Sequence, residues 1–394
     1  MKKKLCLPTL SACAALAVWG VVGCSDEPAE TQNNTNNNPN PAWAVPGTEI
    51  LIVEDRLNQD VPNKAAWEAL QKKTQALVET SGITIPEELQ PLLKATLGMT
   101  PEGEMPALRH MTCAVTLPDS SEAFNVTGNA CPEGLGIYCF VGYPEANIGE
   151  ANKAIEKLIA DNPWCEVKVG KDGDWNKLES TDSVERPFIG WRAINGGYTV
   201  SFCETKEVAD RATNNTEKPA ADSALAKAFQ APTETGPWAK IVIRDVADLM
   251  NRYITSPTDR QEVMLNAPFL FQMHALTFTG CYNSDGNIQL TVEANTDSEE
   301  TAMLMRDQFI AIKVMAHQMI VPQFTGTPYA EPFAQLADSV TCEATGTTAT
   351  LTLTVTPAQA EALVDLCVSY QGALANGPSG DPFADDEPYF GAQE

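Results

Sequence analysis

The chain has 394 residues, 26 of them basic and 52 acidic, for a net charge of −26, and 43% are hydrophobic. So acidic a body repels phosphate backbones and anionic lipid surfaces, which argues against nucleic acid as a partner and makes a solvated exterior the plain reading of the charge. The hydrophobic share can bury a sizeable core, and beyond residue 23 no run reaches the roughly 18 consecutive apolar residues of a membrane-spanning helix.

The first stretch is an address. Lys2, Lys3 and Lys4 precede an apolar run from Leu5 to Val22, the layout of a secretory signal rather than of a spanning helix. It ends in Val21-Val22-Gly23-Cys24. This resembles the lipobox of bacterial lipoproteins, with Val at the first position where Leu is usual. The resemblance covers residues 1–25. It implies cleavage before Cys24, lipidation of Cys24 and stable attachment to a bilayer, since each buried CH₂ of the acyl chains contributes about 0.8 kcal/mol. Ser25 rather than Asp follows the cysteine, which by the same resemblance sorts the protein to the outer membrane of a Gram-negative cell. Acidic Asp26, Glu27 and Glu30 resemble a surface-export signal. Loss of residues 1–23 takes three lysines and no acid, leaving 23 basic against 52 acidic residues, a net −29.

Residues 24–42 form a polar Asn/Pro-rich tether. After it, Ile50–Val53 reads as a buried strand. Residues 64–80 read as a helix with Trp67, Leu70, Leu77 and Val78 on one face, and a second helix opens at Pro86 and stops at Gly98. Strands follow over 108–117 and 135–143, then a helix over 148–162 whose Asn147 and Glu150 have capping-box spacing. Residues 163–186 read as a polar excursion. Strands at 189–194 and 198–205 flank Asn195-Gly196-Gly197, a hairpin signal because these residues accept positive φ. Helices from Lys206 and over 222–229 close the first half.

Two prolines and a glycine in 231–237 mark a domain boundary. The second half opens with a strand at 240–244, then helices over 246–254 and 259–265. Strands at 275–282 and 287–294 surround the turn signal Asn283-Ser284-Asp285-Gly286. A long helix over 296–320 has Asp297 and Glu300 at capping-box spacing and Met305, Phe309, Ile312, Ala316 and Met319 as its inner stripe. A Pro-rich loop leads to strands at 340–344 and 348–356, with Leu351, Leu353 and Val355 inward and threonines outward. Thr356-Pro357-Ala358-Gln359 starts the last helix as a capping box. Residues 376–394 are an acidic Pro/Gly tail.

Each half thus reads strand, helix, helix, then strand-strand-helix twice. The expected fold is α+β: two tandem domains, 43–230 and 238–375, each a mainly antiparallel sheet with helices packed on one face, related by internal duplication. The layout resembles uncharacterised exported lipoproteins of Gram-negative bacteria, a likeness that brings no activity with it.

Of the 11 cysteines, Cys6 and Cys13 leave with the signal and Cys24 carries lipid. The remaining eight, Cys113, Cys131, Cys139, Cys165, Cys203, Cys281, Cys342 and Cys367, are disulfide candidates in an exported protein. Five precede residue 235 and three follow it, so either one bridge crosses the boundary or each half keeps a thiol. No C-x₂-C pair supports a zinc site.

Candidate chemistry is sparse. The chain has no G-x-S-x-G, H-E-x-x-H, P-loop, or G-x-G-x-x-G after a strand. Of the three histidines, His110 and His274 lie on strands at odd spacing from Cys113 and Cys281, which points each pair to opposite faces. Asp172, Asp174 and Asn176 begin a calcium-loop pattern, but Lys177 stands where Gly is needed and Ser183 where the bidentate Glu belongs, so an exposed turn is expected. Trp164, Trp175, Trp191, Tyr138, Phe140 and Tyr143 read as core of the first domain. The function these features imply is a membrane-anchored binding or structural module of the envelope, without a cofactor, whose partner is another envelope protein or a small ligand. The alternative is a hydrolase with its site in an inter-domain cleft. A concave site with convergent polar groups favours a ligand or substrate, and a broad apolar patch favours a protein.

Overall fold

The computed structural model describes residues 45–55, 63–80, 110–124, 131–142, 148–161, 167–180, 187–194, 197–214, 223–230, 232 and 238–375. The expected signal, Cys24, the tether, the helix at 86–98, Asn147, Cys165 and the acidic tail lie outside them, as does the side chain of Cys367.

In chain order the first half comprises β1 (Ile50–Asp55), α1 (Lys64–Thr80), β2 (His110–Thr116), β3 (Gly136–Gly142), α2 (Ile148–Asp161), β4 (Val167–Asp172), β5 (Trp175–Ser180), β6 (Phe188–Ile194), β7 (Gly197–Cys203), α3 (Lys206–Asn214) and α4 (Ala224–Ala228). The second comprises β8 (Trp238–Arg244), α5 (Val246–Tyr253), α6 (Pro257–Asn266), β9 (Met273–Tyr282), β10 (Ile288–Thr296), α7 (Glu299–Met315), α8 (Ala330–Asp338), β11 (Thr341–Thr345), β12 (Thr348–Val355) and α9 (Pro357–Ala375).

All described strands join one 12-stranded antiparallel sheet, ordered β11-β12-β10-β9-β8-β1-β2-β3-β7-β6-β5-β4. The two halves therefore do not form separate sheets: β8, the first strand after the expected boundary, bonds along its whole length to β1. Outward from that junction both halves run in the same order, β1-β2-β3-β7-β6 and β8-β9-β10-β12-β11. One row crosses the sheet through Gly190, Ser201, Tyr138, Ala114, Leu51, Val242, Thr277, Glu293, Thr350 and Glu343. The hairpin β4–β5 is an addition to the first half. It occupies part of the stretch expected to be a polar excursion, because its strands alternate lysine and glutamate with Val169, Trp175 and Leu178 and carry little continuous apolar signal.

That row shows why helices cover both faces rather than one. Its first-half members are buried, and α3 and α4 pack on them through Ala209, Ala212, Leu225 and Ala228. In the second half the same face carries Thr277, Thr291, Glu293 and Thr350 and is only partly covered. There the apolar residues sit on the opposite face. Ile288 and Val355 meet Trp67 and Leu70 of α1 and Val364 of α9, while Ala294 and Ala349 meet Ala302, Met305 and Phe309 of α7. Leu351 and Leu353 join these clusters and Val355 is buried, as the alternation requires.

Local signals set the ends of several helices. Thr356 and Gln359 form the expected reciprocal box, Thr356 N donating to Gln359 Oε1 at 2.8 Å and Gln359 N to Thr356 Oγ1 at 3.3 Å. The long helix is capped one residue later than expected. Ser298 Oγ accepts from Thr301 N at 3.2 Å, and Asp297 instead faces His274. The Pro-rich loop after it contains α8.

The halves also exchange helices. In α1, Trp67 Nε1 donates to Gly286 O at 2.7 Å, and Asn63 just before it donates to Asp285 O at 2.7 Å, both in the β9–β10 turn. Reciprocally, Arg252 at the end of α5 donates to Pro118 O at 3.0 Å and pairs with Glu49, while Tyr253 donates its hydroxyl to Pro118 O, in the loop after β2. Gly286, at φ 76°, supplies the left-handed residue that the turn needs.

Candidate functional site

Two surfaces stand out. The first is a cleft of about 730 Å³, formed where β1 begins, β2 ends and α3 packs over β3 and β7. Its walls carry Glu49, Asp119, Glu133, Glu204 and Arg211, and Tyr138 lies among its lining residues. Local bonds fix these walls. Thr116 Oγ1 donates to Gly134 O at 2.9 Å, joining the loop after β2 to the loop entering β3. Both oxygens of Glu49 are engaged, one by Leu117 N at 2.9 Å and one by Arg252.

Tyr138 lays its ring back over Gly136, where an added Cβ would come within 2.3 Å of the Tyr138 hydroxyl. That hydroxyl bonds to the Cys203 thiol, and burial pushes its pKa well up. Burial likewise pushes Cys203 and Cys131 up to about 11. Phenol and thiols therefore stay protonated at neutral pH and offer no activated nucleophile. What the cleft presents to a ligand is carboxylates, one guanidinium and backbone polar groups, an arrangement suited to holding a polar, cation-bearing molecule rather than to covalent chemistry.

The other expected site residues do not gather. His110 is buried on β2, on the opposite face from Cys113, as strand parity requires. His274 Nε2 lies 2.7 Å from Asp297 and His317 Nε2 3.2 Å from Asp338. Asp172 and Asp174 flank Gly173 in the β4–β5 turn, but their oxygens meet the protein's own cations. Asp172 faces Lys177 at 3.3 Å and Lys206 at 3.7 Å, and Asp174 faces Arg192 at 2.9 Å. Asn176 turns to the other face, where it accepts from Asn152 at 2.9 Å. Among the described residues no group of three or more His, Cys, Asp or Glu could hold a metal ion.

Trp175 and Trp191 are core, as are Tyr138 and Phe140. Arg192 stacks 4.7 Å over Trp175 and donates to Thr213 and Asn214, and Trp175 Nε1 donates to Asp210 at 2.8 Å. Burial acts to raise the Asp210 pKa. Hydrogen bonds from Trp175 and Lys206, with the charges of Lys206 and Arg192, outweigh it and hold that carboxyl below its usual value.

Of the disulfide candidates, Cys113 and Cys139 are bonded directly across β2 and β3. Cys131, Cys203, Cys281 and Cys342 are free of disulfides. The β9–β10–β12–β11 register puts Cys281 and Cys342 on opposite faces of the sheet, so they cannot pair with each other.

The second surface is the outer side of α7 and its continuation to Phe324. Of the expected inner stripe, Met305 and Phe309 are buried, but Ile312 and Met319 are 52% and 61% exposed. The reason is the sheet edge. Lys313 Nζ donates to Val340 O at 2.6 Å, just ahead of the edge strand β11, so the helical run beyond it overhangs the sheet. Leu304, at 62%, and Met303, Ile310, Val314, Met315 and Ile320 are exposed beside them. A helix apolar on all sides is ordinarily covered on all sides. The signal was present in the sequence as the Met, Ile, Leu and Val residues that recur from 303 to 320 outside the inward stripe.

No family model matches this chain, and no curated protein matches it. A solved structure described as "Structure of crystal form I of TP0453" is 9% identical, covers 85% of this chain and 98% of its own, and superposes with a TM-score of 0.34, too low to equate the two folds.

Proposed function

We propose that this chain is an exported lipoprotein, lipidated on Cys24 and held at the outer membrane, on its periplasmic or surface side, that works as a contact module for another envelope protein. The observation that carries the reading is the exposed apolar side of the 303–320 helical run. Side chains such as Leu304 and Met319 put exposed apolar surface on an otherwise acidic body. The module is built from two repeats of one α+β unit, 43–230 and 238–375. The shared strand order supports that duplication.

The test is site-specific photocrosslinking in intact cells from Leu304 and Met319, with Thr350 on the other face as control. One dominant adduct at the first two positions, lost when Ile312 is changed to Lys, is expected. Equal yields at all three positions would reject the reading. Fatty-acid labelling that persists after Cys24→Ala rejects the anchor.

A second reading rests on the cleft: a periplasmic binder of a small cationic or polar ligand. Calorimetric titration with polyamines distinguishes it, with heat lost in Glu204→Gln as its mark.

A further inference from the structure

We infer that the cleft beside α3 holds a short basic peptide by its free C-terminal carboxylate, and that Arg211 takes that carboxylate. The inference rests on the second reading above, the cleft as a ligand site, and names the class of ligand. Val208, Arg211 and Ala212 share one side of α3, at spacings of three and four residues, and that side lines the cleft. Arg211 is exposed there. The other described arginines are engaged within the protein. Arg192, Arg244, Arg252 and Arg306 each pair with a carboxylate, and Arg260 lies 4.7 Å over the Phe271 ring. Arg211 has no partner among the described residues, although three carboxylates share the cleft with it.

Those carboxylates come from three separate segments: Asp119 follows β2, Glu133 precedes β3 and Glu204 leads into α3. None is in an ion pair or hydrogen bond with a described residue. The fourth acid, Glu49, is already engaged by Leu117 N and Arg252, so it belongs to the wall. Three free carboxylates and one free guanidinium give the cleft a net charge of −2. Its complement is a molecule with one anionic end and several cations. A simple polyamine meets the carboxylates but sets ammonium groups against the guanidinium, a like-charge contact. A carboxylate on the ligand removes that conflict, since a guanidinium binds it through two parallel N–H···O bonds. Size then selects among such molecules. The volume of about 730 Å³ falls within the roughly 300–1,000 Å³ of sites for drug-sized molecules. A free basic amino acid has two cations on one short stem, and carboxylates on three segments call for more. A peptide of a few residues supplies them, its lysine or arginine stems lying along Val208 and Leu135.

The full chain, purified in detergent, is titrated calorimetrically at physiological ionic strength with three probes: trilysine, its C-terminal amide and spermidine. Trilysine is expected to bind, and the amide to bind about tenfold more weakly, the effect of losing one charge-assisted contact. Net charge alone predicts the reverse order, because the amide is the more positive peptide and the cleft is acidic. In Arg211→Gln the two peptides should bind alike, with spermidine no weaker than in wild type. Arg211 is exposed, so this change spares the core. An amide that binds wild type as well as trilysine does overturns the inference without any variant. So does a difference between the peptides that survives in Arg211→Gln. In either case spermidine heat that is lost in Glu204→Gln keeps the cleft as a cation site and confines the failure to the carboxylate. No heat from any probe removes the cleft reading as well.

Discussion

Leu51 and Val242 stand opposite each other in the β1–β8 ladder, and the pairs on either side repeat about them, Ile50 facing Ile243 and Ile52 facing Ile241. This is a local two-fold axis written in sequence as Ile-Leu-Ile and Ile-Val-Ile. Both side chains are buried in one apolar cluster with Ala114, Tyr138 and the helices α3 and α4. The junction of the halves is therefore core.

Truncation at that point should be felt throughout. Leu51→Ala is expected to cost about 2–5 kcal/mol, the range for emptying a fully buried leucine site. Urea unfolding followed at the tryptophans should stay a single transition in wild type and variant alike. Two separated transitions would show that the halves unfold independently.

The two stripes of α7 should answer oppositely. Phe309→Ala removes a buried ring from the sheet side and should cost about 3–5 kcal/mol. Leu304→Lys and Met319→Lys, on the exposed side, should change stability by no more than about 0.5 kcal/mol, read from the denaturant midpoint. A large loss from either lysine would place that side chain in the core.

The box at the start of α9 gives a smaller effect. Thr356→Ala should lower stability by about 1 kcal/mol, read from the denaturant midpoint at unchanged slope. Thr356→Ser should restore most of it.

Asp210 makes stability acid-sensitive. Its folded pKa is lowered, so the stabilisation is complete above the unfolded value near 3.9 and is lost as pH falls through the folded value. Asp210→Asn should therefore destabilise at pH 7 and converge with wild type toward pH 2. A gap between the two that persists undiminished at pH 2 would assign the effect to packing.

Much of the fold was legible because period and punctuation agreed. Ile288, Leu290 and Val292 alternate with polar residues, Thr356 and Gln359 have box spacing, and Asn283 to Gly286 make a turn in which Asn283 Oδ1 accepts from Asp285 N and Asn287 N. The merger of the sheets was not legible. An edge strand and a central strand differ only in what bonds to them, and Ile50–Val53 fits either. The overhang of α7 escaped for a related reason. A stripe at helical spacing says which residues share a side but not where the sheet beneath them stops. In the cleft, Tyr138 was read as core, and it is buried. Its link to Cys203 depends on a register that joins residues 65 apart in the chain.

The exchange of α1 and α5 between halves also shapes how the molecule comes into being. Synthesis delivers β1 and Trp67 first, yet β8, which flanks β1, and the turn that receives Trp67 arrive about 180 to 220 residues later. The first half cannot complete its core as it emerges, and contacts this distant in sequence close slowly. A ribosome-bound or translocating intermediate that stops before residue 238 should expose the edge of β1 and remain a chaperone substrate until β8 arrives to pair with it.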